Sequence, residues 1–282
     1  MSAMFGFVLC ADDFAMTAGV SQAILELLAH GRLSATGAMT NRPHWPDYAG
    51  GLAEFDGRAD LGVHLNLTLG APLRSMPVFA PGGVLPPLGS VLRMGLTGKL
   101  PAAEIAAEIN TQLDAFELQM GRAPDFIDGH QHVHGLKGMQ KIFIDVLQRR
   151  YPSHLPRPYI RVSADRILRI VRRRRFVVKA LQVRQLSAGF GKALTEAGFR
   201  TNDGFAGFSD FSPRAAYAEQ FASYLRAPGK RHLIMCHPGY VDNELPTLDP
   251  VVESRENERA FFAGDAFVDA CEQANAGLIR FA

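Results

Sequence analysis

FGFVLCADDFAMTAG, residues 5–19, is the stretch on which the reading of the fold turns. Residues 5–11 are an apolar run of strand length, and the run ends abruptly in two adjacent carboxylates, Asp12 and Asp13. Thr17 then stands where an N-cap belongs for a helix through AGVSQAILELLAHG, which Gly31 is placed to end. A buried strand that feeds straight into a helix is the repeating unit of an α/β fold.

The same alternation continues along the chain. PAAEIAAEINTQLDAFELQMG, residues 101–121, sets Ile105, Ile109, Leu113, Phe116 and Met120 at helical spacing between Pro101 and Gly121. This stripe predicts core packing and implies no cofactor. Short apolar segments recur at ADLGVHLNL, PDFIDGH, PYIRV, HLIMCH and GLIRF, with helical or loop sequence between most of them. That pattern predicts parallel strands with crossover helices, hence a (β/α) barrel or an open parallel sheet. Residues Pro72 to Gly98 are rich in Pro and Gly and read as a long loop of the kind that shapes a substrate cleft.

Composition sets the frame. The chain has 282 residues, 47% of them hydrophobic, enough for a substantial core, and no linker or repeat divides it; residues 1–282 are read as a single domain. Thirty basic residues against 28 acidic leave a formal charge of +2, so the overall charge names no partner. Cys10, Cys236 and Cys271 are odd in number and embedded in apolar sequence, as expected of buried thiols in a reducing compartment, and the cytoplasm is the expected location. There is no signal-like N-terminus and no stretch of about 18 apolar residues, so no membrane span is expected.

The polar residues fall at strand ends. Asp12 and Asp13 close the first run, His64 lies near the end of another, His130 follows FIDG and His237 follows LIMC. In a parallel α/β fold those ends open on one face, so distant residues converge in one site. Two adjacent carboxylates repel, and burying either is costly unless a cation compensates. With His64 and His130, one Asp makes a mixed His/His/Asp set for a divalent metal, and the other Asp is free to act as a base. The alternating His130, His132 and His134 lie on one side if the backbone stays extended. His130 is then assigned to the metal, His132 to substrate or ligand orientation, and His134 to a hydrogen bond behind the ligands. Arg161, a lone charge in an apolar strand, is expected to orient Asp12 or to bind a hydroxyl of the substrate. Taken alone, Asp12 and Asp13 would be read as a helix N-terminal pair, and His64 as a core histidine.

Four motifs then carry a resemblance: ADDF at 11–14, GVHLNLT at 62–68, IDGHQHVH at 127–134 and CHPGY at 236–240. In type and order they resemble the YdjC/ChbG family of carbohydrate deacetylases, over most of the chain from residue 5 to about residue 260. The resemblance implies a distorted (β/α) barrel and the metal-dependent removal of an acetyl group from an N-acetylated sugar. It implies Asp13, His64 and His130 as metal ligands and Asp12 as catalytic base, with Mg²⁺ and Zn²⁺ both compatible. His237, on the CHPG turn, is the preferred general acid and His132 its rival. Where the family commonly has Gly after DDF and His after the first metal histidine, this chain has Ala15 and Gln131.

Other readings remain. A metal-dependent phosphoesterase or amidohydrolase on a similar barrel would commonly show His-x-His on the first strand, where this chain has Asp-Asp. Residues Asp165 to Arg200 hold ten Lys or Arg against two acidic residues, including Arg172 to Arg175. A non-enzymatic binder of nucleic acid or of an anionic surface would use that run. Its usual meaning is an amphipathic helix that covers the barrel or makes a homo-oligomer contact, and nucleic acid is not the expected partner. GFAGFSDF, residues 204–211, reads equally as a sugar platform or as packing.

Overall fold

The computed structural model describes residues 4–212 and 216–282. Among the described residues there are eight strands: β1 (Phe5–Phe14), β2 (Ala35–Ala38), β3 (Asp60–Leu65), β4 (Phe126–Gly129), β5 (Tyr159–Ile160), β6 (Gly204–Ala206), β7 (His232–Cys236) and β8 (Ala276–Leu278). Every pairing is parallel. The order is β5-β4-β3-β2-β1-β7-β6, with β8 added to β1. Around the sheet lie α1 (Ala18–Ala29), α2 (Trp45–Ala53), α3 (Leu88–Leu96), α4 (Ala102–Met120), α5 (Met139–Arg150), α6 (Ile167–Arg173), α7 (Val177–Leu186), α8 (Phe190–Glu196), α9 (Tyr217–Tyr224), α10 (Leu245–Leu248), α11 (Glu253–Ala263) and α12 (Asp265–Ala274).

The sheet is curled until its two edges meet, which makes it a distorted barrel. The Ile160 amide donates to Arg200 O at 2.9 Å, and Ile160 bridges Thr201 in parallel. One side chain then takes over from the backbone ladder. Asn202 Oδ1 accepts from the Val162 amide at 2.7 Å, while its Nδ2 donates to Val162 O at 3.0 Å and Gly204 O at 3.1 Å.

Strand periodicity sorts the core into two clusters. In β1, Phe7, Leu9 and Ala11 pack outward in the large cluster under the helices, whereas Val8 and Cys10 join a second cluster with Ala35, Phe126, Tyr159, Phe205, Leu233 and Met235. Both faces of the strands are thus apolar, which is why β1 reads as a continuous hydrophobic run. Extending the inward series by two residues per strand reaches Asp12, His64, Asp128, Arg161 and His237. The apolar filling of the barrel is therefore capped at the C-terminal strand ends by a polar layer.

The clearest helical pattern in the sequence forms α4, with Ile105, Ile109, Leu113 and Phe116 fully buried and Gly121 closing it at φ 68°. Each such side chain contributes roughly 1.5–3 kcal/mol. Thr17 caps α1 as its sequence indicates, accepting from the Val20 amide at 3.3 Å. The segment from Pro72 to Gly98 is not wholly a loop: Leu88–Leu96 is α3, with Pro87 at its N-cap and Leu88, Val91, Leu92 and Gly95 on its packed side. Strands β2 (ATGA) and β6 (GFA) are too short to show the pattern that marks a strand in sequence. Among the described residues no helix is long and apolar enough to cross a membrane.

Asn202→Ala leaves buried peptide groups at Val162 and Gly204 without their partner, so a loss of roughly 2–4 kcal/mol in urea-unfolding free energy is expected. A change under 0.5 kcal/mol would mean that the edges are held together by packing alone.

Candidate metal centre and catalytic cleft

The polar layer is built by a break in β1. Pairing with β2 shifts register between Ala11 and Phe14, and Asp13 takes a left-handed conformation, φ 69°. In a regular strand Asp12 and Asp13 would face opposite sides of the sheet. The bulge turns Asp13 back toward the same end of the barrel, the use to which bulges beside functional sites are commonly put. Ala15 is also left-handed, at φ 69°, a conformation that costs a residue with a Cβ about 1–2 kcal/mol and that glycine adopts freely. That is the position where the resembled family commonly has glycine.

Each carboxylate has its own guanidinium. Arg161, fully buried just beyond β5, donates to both oxygens of Asp12 at 2.5 and 2.8 Å and pairs with Asp128 Oδ2 at 2.9 Å. Arg255 of α11 donates from Nη2 to Asp13 Oδ2 at 2.7 Å and to Asp249 Oδ2 at 2.6 Å. Burial opposes the charge on both β1 carboxylates, but Arg161, His64 and His237 hold Asp12 well below the usual carboxylate range, and Arg255 and His130 do the same for Asp13. Of the two uses expected of Arg161, the geometry provides the orienting one.

The imidazoles converge on Asp13. His130 Nδ1 lies 2.9 Å and His64 Nε2 3.3 Å from Asp13 Oδ1. On its other side His64 meets Asp128 Oδ1 at 2.6 Å through Nδ1, a carboxylate–imidazole pair that fixes ring orientation and leaves Nε2 toward Asp13. Burial by itself lowers the His64 pKa; Asp128 and Asp12 more than reverse this and lift it to about 10. Gly37 in β2 makes room for the pair, since a Cβ there would stand 3.0 Å from His64 Cβ and 3.4 Å from Asp128 Oδ1.

Asp13, His64 and His130 offer three ligand atoms within 4.8 Å of one another and form a group able to hold a metal ion. The charge balance fits as well. Asp12, Asp13, Asp128 and Asp249 share two permanently charged partners, Arg161 and Arg255, and the shortfall of two positive charges falls to the imidazoles beside them, when protonated, or to a bound dication in their place. A second close group, Cys10, Asp12 and Asp128, already has its cation, because the Arg161 guanidinium pairs with both carboxylates.

The remaining histidines separate. Residues His130–Gly135 form a tight 3-10 segment in which Gln131 (φ 53°) and His132 (φ 60°) are left-handed. The backbone is not extended, so the three rings do not share a side. His132 Nδ1 lies 3.0 Å from Ser163 Oγ, with its ring edge-on to Phe205 and Phe208. His134 Nε2 meets Arg161 O at 2.8 Å between Phe143 and Phe190. His237, directly after β7, has Nε2 3.9 Å from Asp12 Oδ2, and burial lowers its pKa to about 4. Its backbone N–H donates to Glu258 Oε2 at 2.6 Å. Burial pushes the Glu258 carboxyl up to about 7 against the pull of that bond, Arg255 and Tyr217.

Asp12, Asp13, His64, His130, His132 and His237 all line a cavity of about 330 Å³, together with Gln131, Asp249 and Arg255. Asp128, Arg255 and Asp249 were not marked in the sequence. Asp128 was legible in principle, two residues before His130 on the inward side of its strand; Arg255, on a distant helix, had no local signal. Within GFAGFSDF, Phe205 and Phe208 are buried packing, and Phe211 lines the cavity edge-on to His237 at 5.3 Å. Of the basic run only Arg173 is buried among the described residues, and several of the exposed arginines are tied down by partners. Arg173 is buried against Asp165 at 2.5 Å, Arg175 pairs with Glu219 at 2.5 Å, and Arg184 donates to Asp165 O at 2.9 Å.

Comparison with known proteins agrees with this architecture. The family described as YdjC-like protein matches residues 6–273. A chitooligosaccharide deacetylase of Proteus mirabilis is 30% identical over 239 residues, covering 83% of this chain and 81% of its own. A carbohydrate deacetylase of Geobacillus stearothermophilus is 26% identical over 274 residues, covering 96% and 94%. Among solved structures, a protein of Enterococcus faecalis described as a cellobiose-phosphate cleavage protein superposes with a TM-score of 0.75 at 21% identity, covering 99% of this chain and 98% of that one. At that identity the likeness concerns the fold.

Asp13→Asn is expected to lower bound metal in purified protein at least tenfold, whereas Asp12→Asn keeps it; equal loss in both would undo the division of roles. Glu258 binds its proton more tightly folded than unfolded, so its contribution to stability is complete below pH 4.5 and is lost as pH rises through about 7. Glu258→Gln should therefore flatten the decline in urea-unfolding free energy between pH 5 and 8 by about 1–3 kcal/mol; an unchanged slope would show Glu258 to be ionised throughout.

Proposed function

The chain belongs to the YdjC-like protein family, and from that premise we propose that it is a metal-dependent deacetylase, a single catalytic domain over residues 1–282 that hydrolyses the acetamide of an N-acetylated sugar. The observation that carries the proposal is the meeting of Asp13, His64 and His130 beside an arginine-bound carboxylate, Asp12, at one cavity. The names of the Proteus mirabilis and Geobacillus stearothermophilus relatives support the choice of reaction.

In this reading Asp13, His64 and His130 hold the metal ion. A divalent cation there supplies the positive charge that polarises an acyl carbonyl and lowers the pKa of a water. The mixed nitrogen and oxygen donors suit Zn²⁺ and, with water completing the shell, Mg²⁺.

Asp12 is the base. Arg161 keeps its carboxylate ionised and fixes both oxygens, so Asp12 can take a proton from the attacking water without reorienting. The same pairing makes Asp12 a weak base, which suits a water already acidified. His237 is neutral near pH 7, because burial lowers it to about 4, so it has to receive a proton before it can give one. Its Nε2 lies 3.9 Å from Asp12 Oδ2, too far for a direct hydrogen bond, so in this reading one bridging water carries the proton from Asp12 to His237, which then gives it to the departing sugar amine. His132 is turned toward Ser163 and lies outside this relay. Its place on the cavity wall supports substrate contact instead. Arg161 is assigned to orienting Asp12 and not to binding, because it is fully buried, does not line the cavity and gives both Nη atoms to carboxylates within the fold.

Acetate release from a panel of N-acetylated sugars by the metal-loaded protein tests the reaction; release of phosphate from matched phosphate esters without acetate would replace it with a phosphoesterase. Asp12→Asn and His237→Gln should each reduce kcat by about 10²–10⁴. His132→Gln should act mainly on KM, and a larger kcat loss in His132→Gln than in His237→Gln would exchange their roles.

A further inference from the structure

The cavity that reaches the Asp/His centre is lined unlike a site for a chain of sugars. Among the described residues twenty line it, and nine of these are Leu, Val, Met, Phe or Pro. Beyond the charged and histidine cluster, the polar lining residues are Gln131, Lys179 and Ser187. Two of these are already engaged: Ser187 Oγ donates to Val183 O at 2.8 Å and Lys179 Nζ to Ser209 O at 2.8 Å. Every sugar ring added to an oligosaccharide brings hydroxyls, and a hydroxyl buried without a partner costs roughly 1–3 kcal/mol.

Two helices supply the apolar wall at helical spacing. Leu88 and Leu92 lie four residues apart on α3, and Val183 and Leu186 three apart on α7; all four line the cavity and are only half-buried. A surface that a core would fill is here left open, next to the place where the acetamide must sit. Lys179 also lines a neighbouring surface cavity with Val178, which is 69% exposed, so the apolar lining continues outward along α7. An apolar group laid against such a wall gains about 25 cal/mol per Å² buried.

We propose that the substrate is amphiphilic: one N-acetylated amino sugar at the metal centre, joined to an alkyl or other apolar aglycone that lies against Leu88, Leu92, Val183 and Leu186. The inference rests on the deacetylase reading and specifies its substrate class. The two are tested separately by measuring acetate release and calorimetric binding for methyl and octyl N-acetyl-β-glucosaminide, both below the aggregation concentration of the octyl compound, beside N,N′-diacetylchitobiose. The octyl glycoside should exceed both others in kcat/KM by at least about fivefold, and the octyl-to-methyl ratio should fall in Leu92→Asn and Val183→Asn. Acetate release with a smaller octyl advantage, or with chitobiose preferred, leaves a deacetylase and overturns the amphiphilic substrate. An octyl-to-methyl ratio that both variants leave intact overturns the assignment of the wall. If no acetate appears from any compound, the deacetylase reading fails, and binding decides this one: octyl at least about fivefold tighter than methyl supports it, and equal affinities overturn it.

Discussion

Everything at the mouth of the barrel depends on placing Asp12 and Asp13, neighbours in sequence, in a buried layer without leaving their charges unopposed. Burying a carboxylate costs several kcal/mol unless a cation and hydrogen bonds compensate. The chain meets this with Arg161 for Asp12 and Arg255 for Asp13, and it splits the pair with a bulge that puts Asp13 in a left-handed conformation. Two arginines do not balance the four carboxylates joined to them. The remaining deficit falls between Asp13, His64 and His130, where a cation has donors of the right kind. Strain at Asp13, burial of Arg161 and Arg255, and the narrow space at Gly37 are thus parts of one electrostatic arrangement.

Much of this was legible because strand periodicity is written directly in the residues. The apolar runs ending in Asp12–Asp13, His64, His130 and Cys236–His237 mark parallel strand ends, and parallel strands bring their ends to one face. What was not legible depends on tertiary context. ATGA and GFA form strands too short to show a pattern, Leu88–Leu96 is helical within a Pro- and Gly-rich stretch, and Gln131 and His132 leave the extended conformation, so the rings of His130, His132 and His134 diverge. Arg255 reaches Asp13 across 242 positions of sequence, a distance over which no local pattern operates.

The same layering gives the cleft two chemical characters. The floor is ionic and is fixed by buried pairs that do not have to reorganise when charge develops during reaction. The wall is aliphatic, from α3 and α7, helices outside the motifs that mark the centre. The proposed function and substrate class thus assign reaction type to the strand ends and substrate choice to the helices packed over them, a division common to barrel enzymes.

The most direct measurement is an anomalous-scattering map from crystals of the protein loaded with a transition-metal dication. The account predicts one strong peak, coordinated together by Asp13, His64 and His130 with Asp12 close by but bound to Arg161. A peak at Cys10, Asp12 and Asp128, or no peak at saturating metal, would contradict it and leave the two acids as partners of arginine alone.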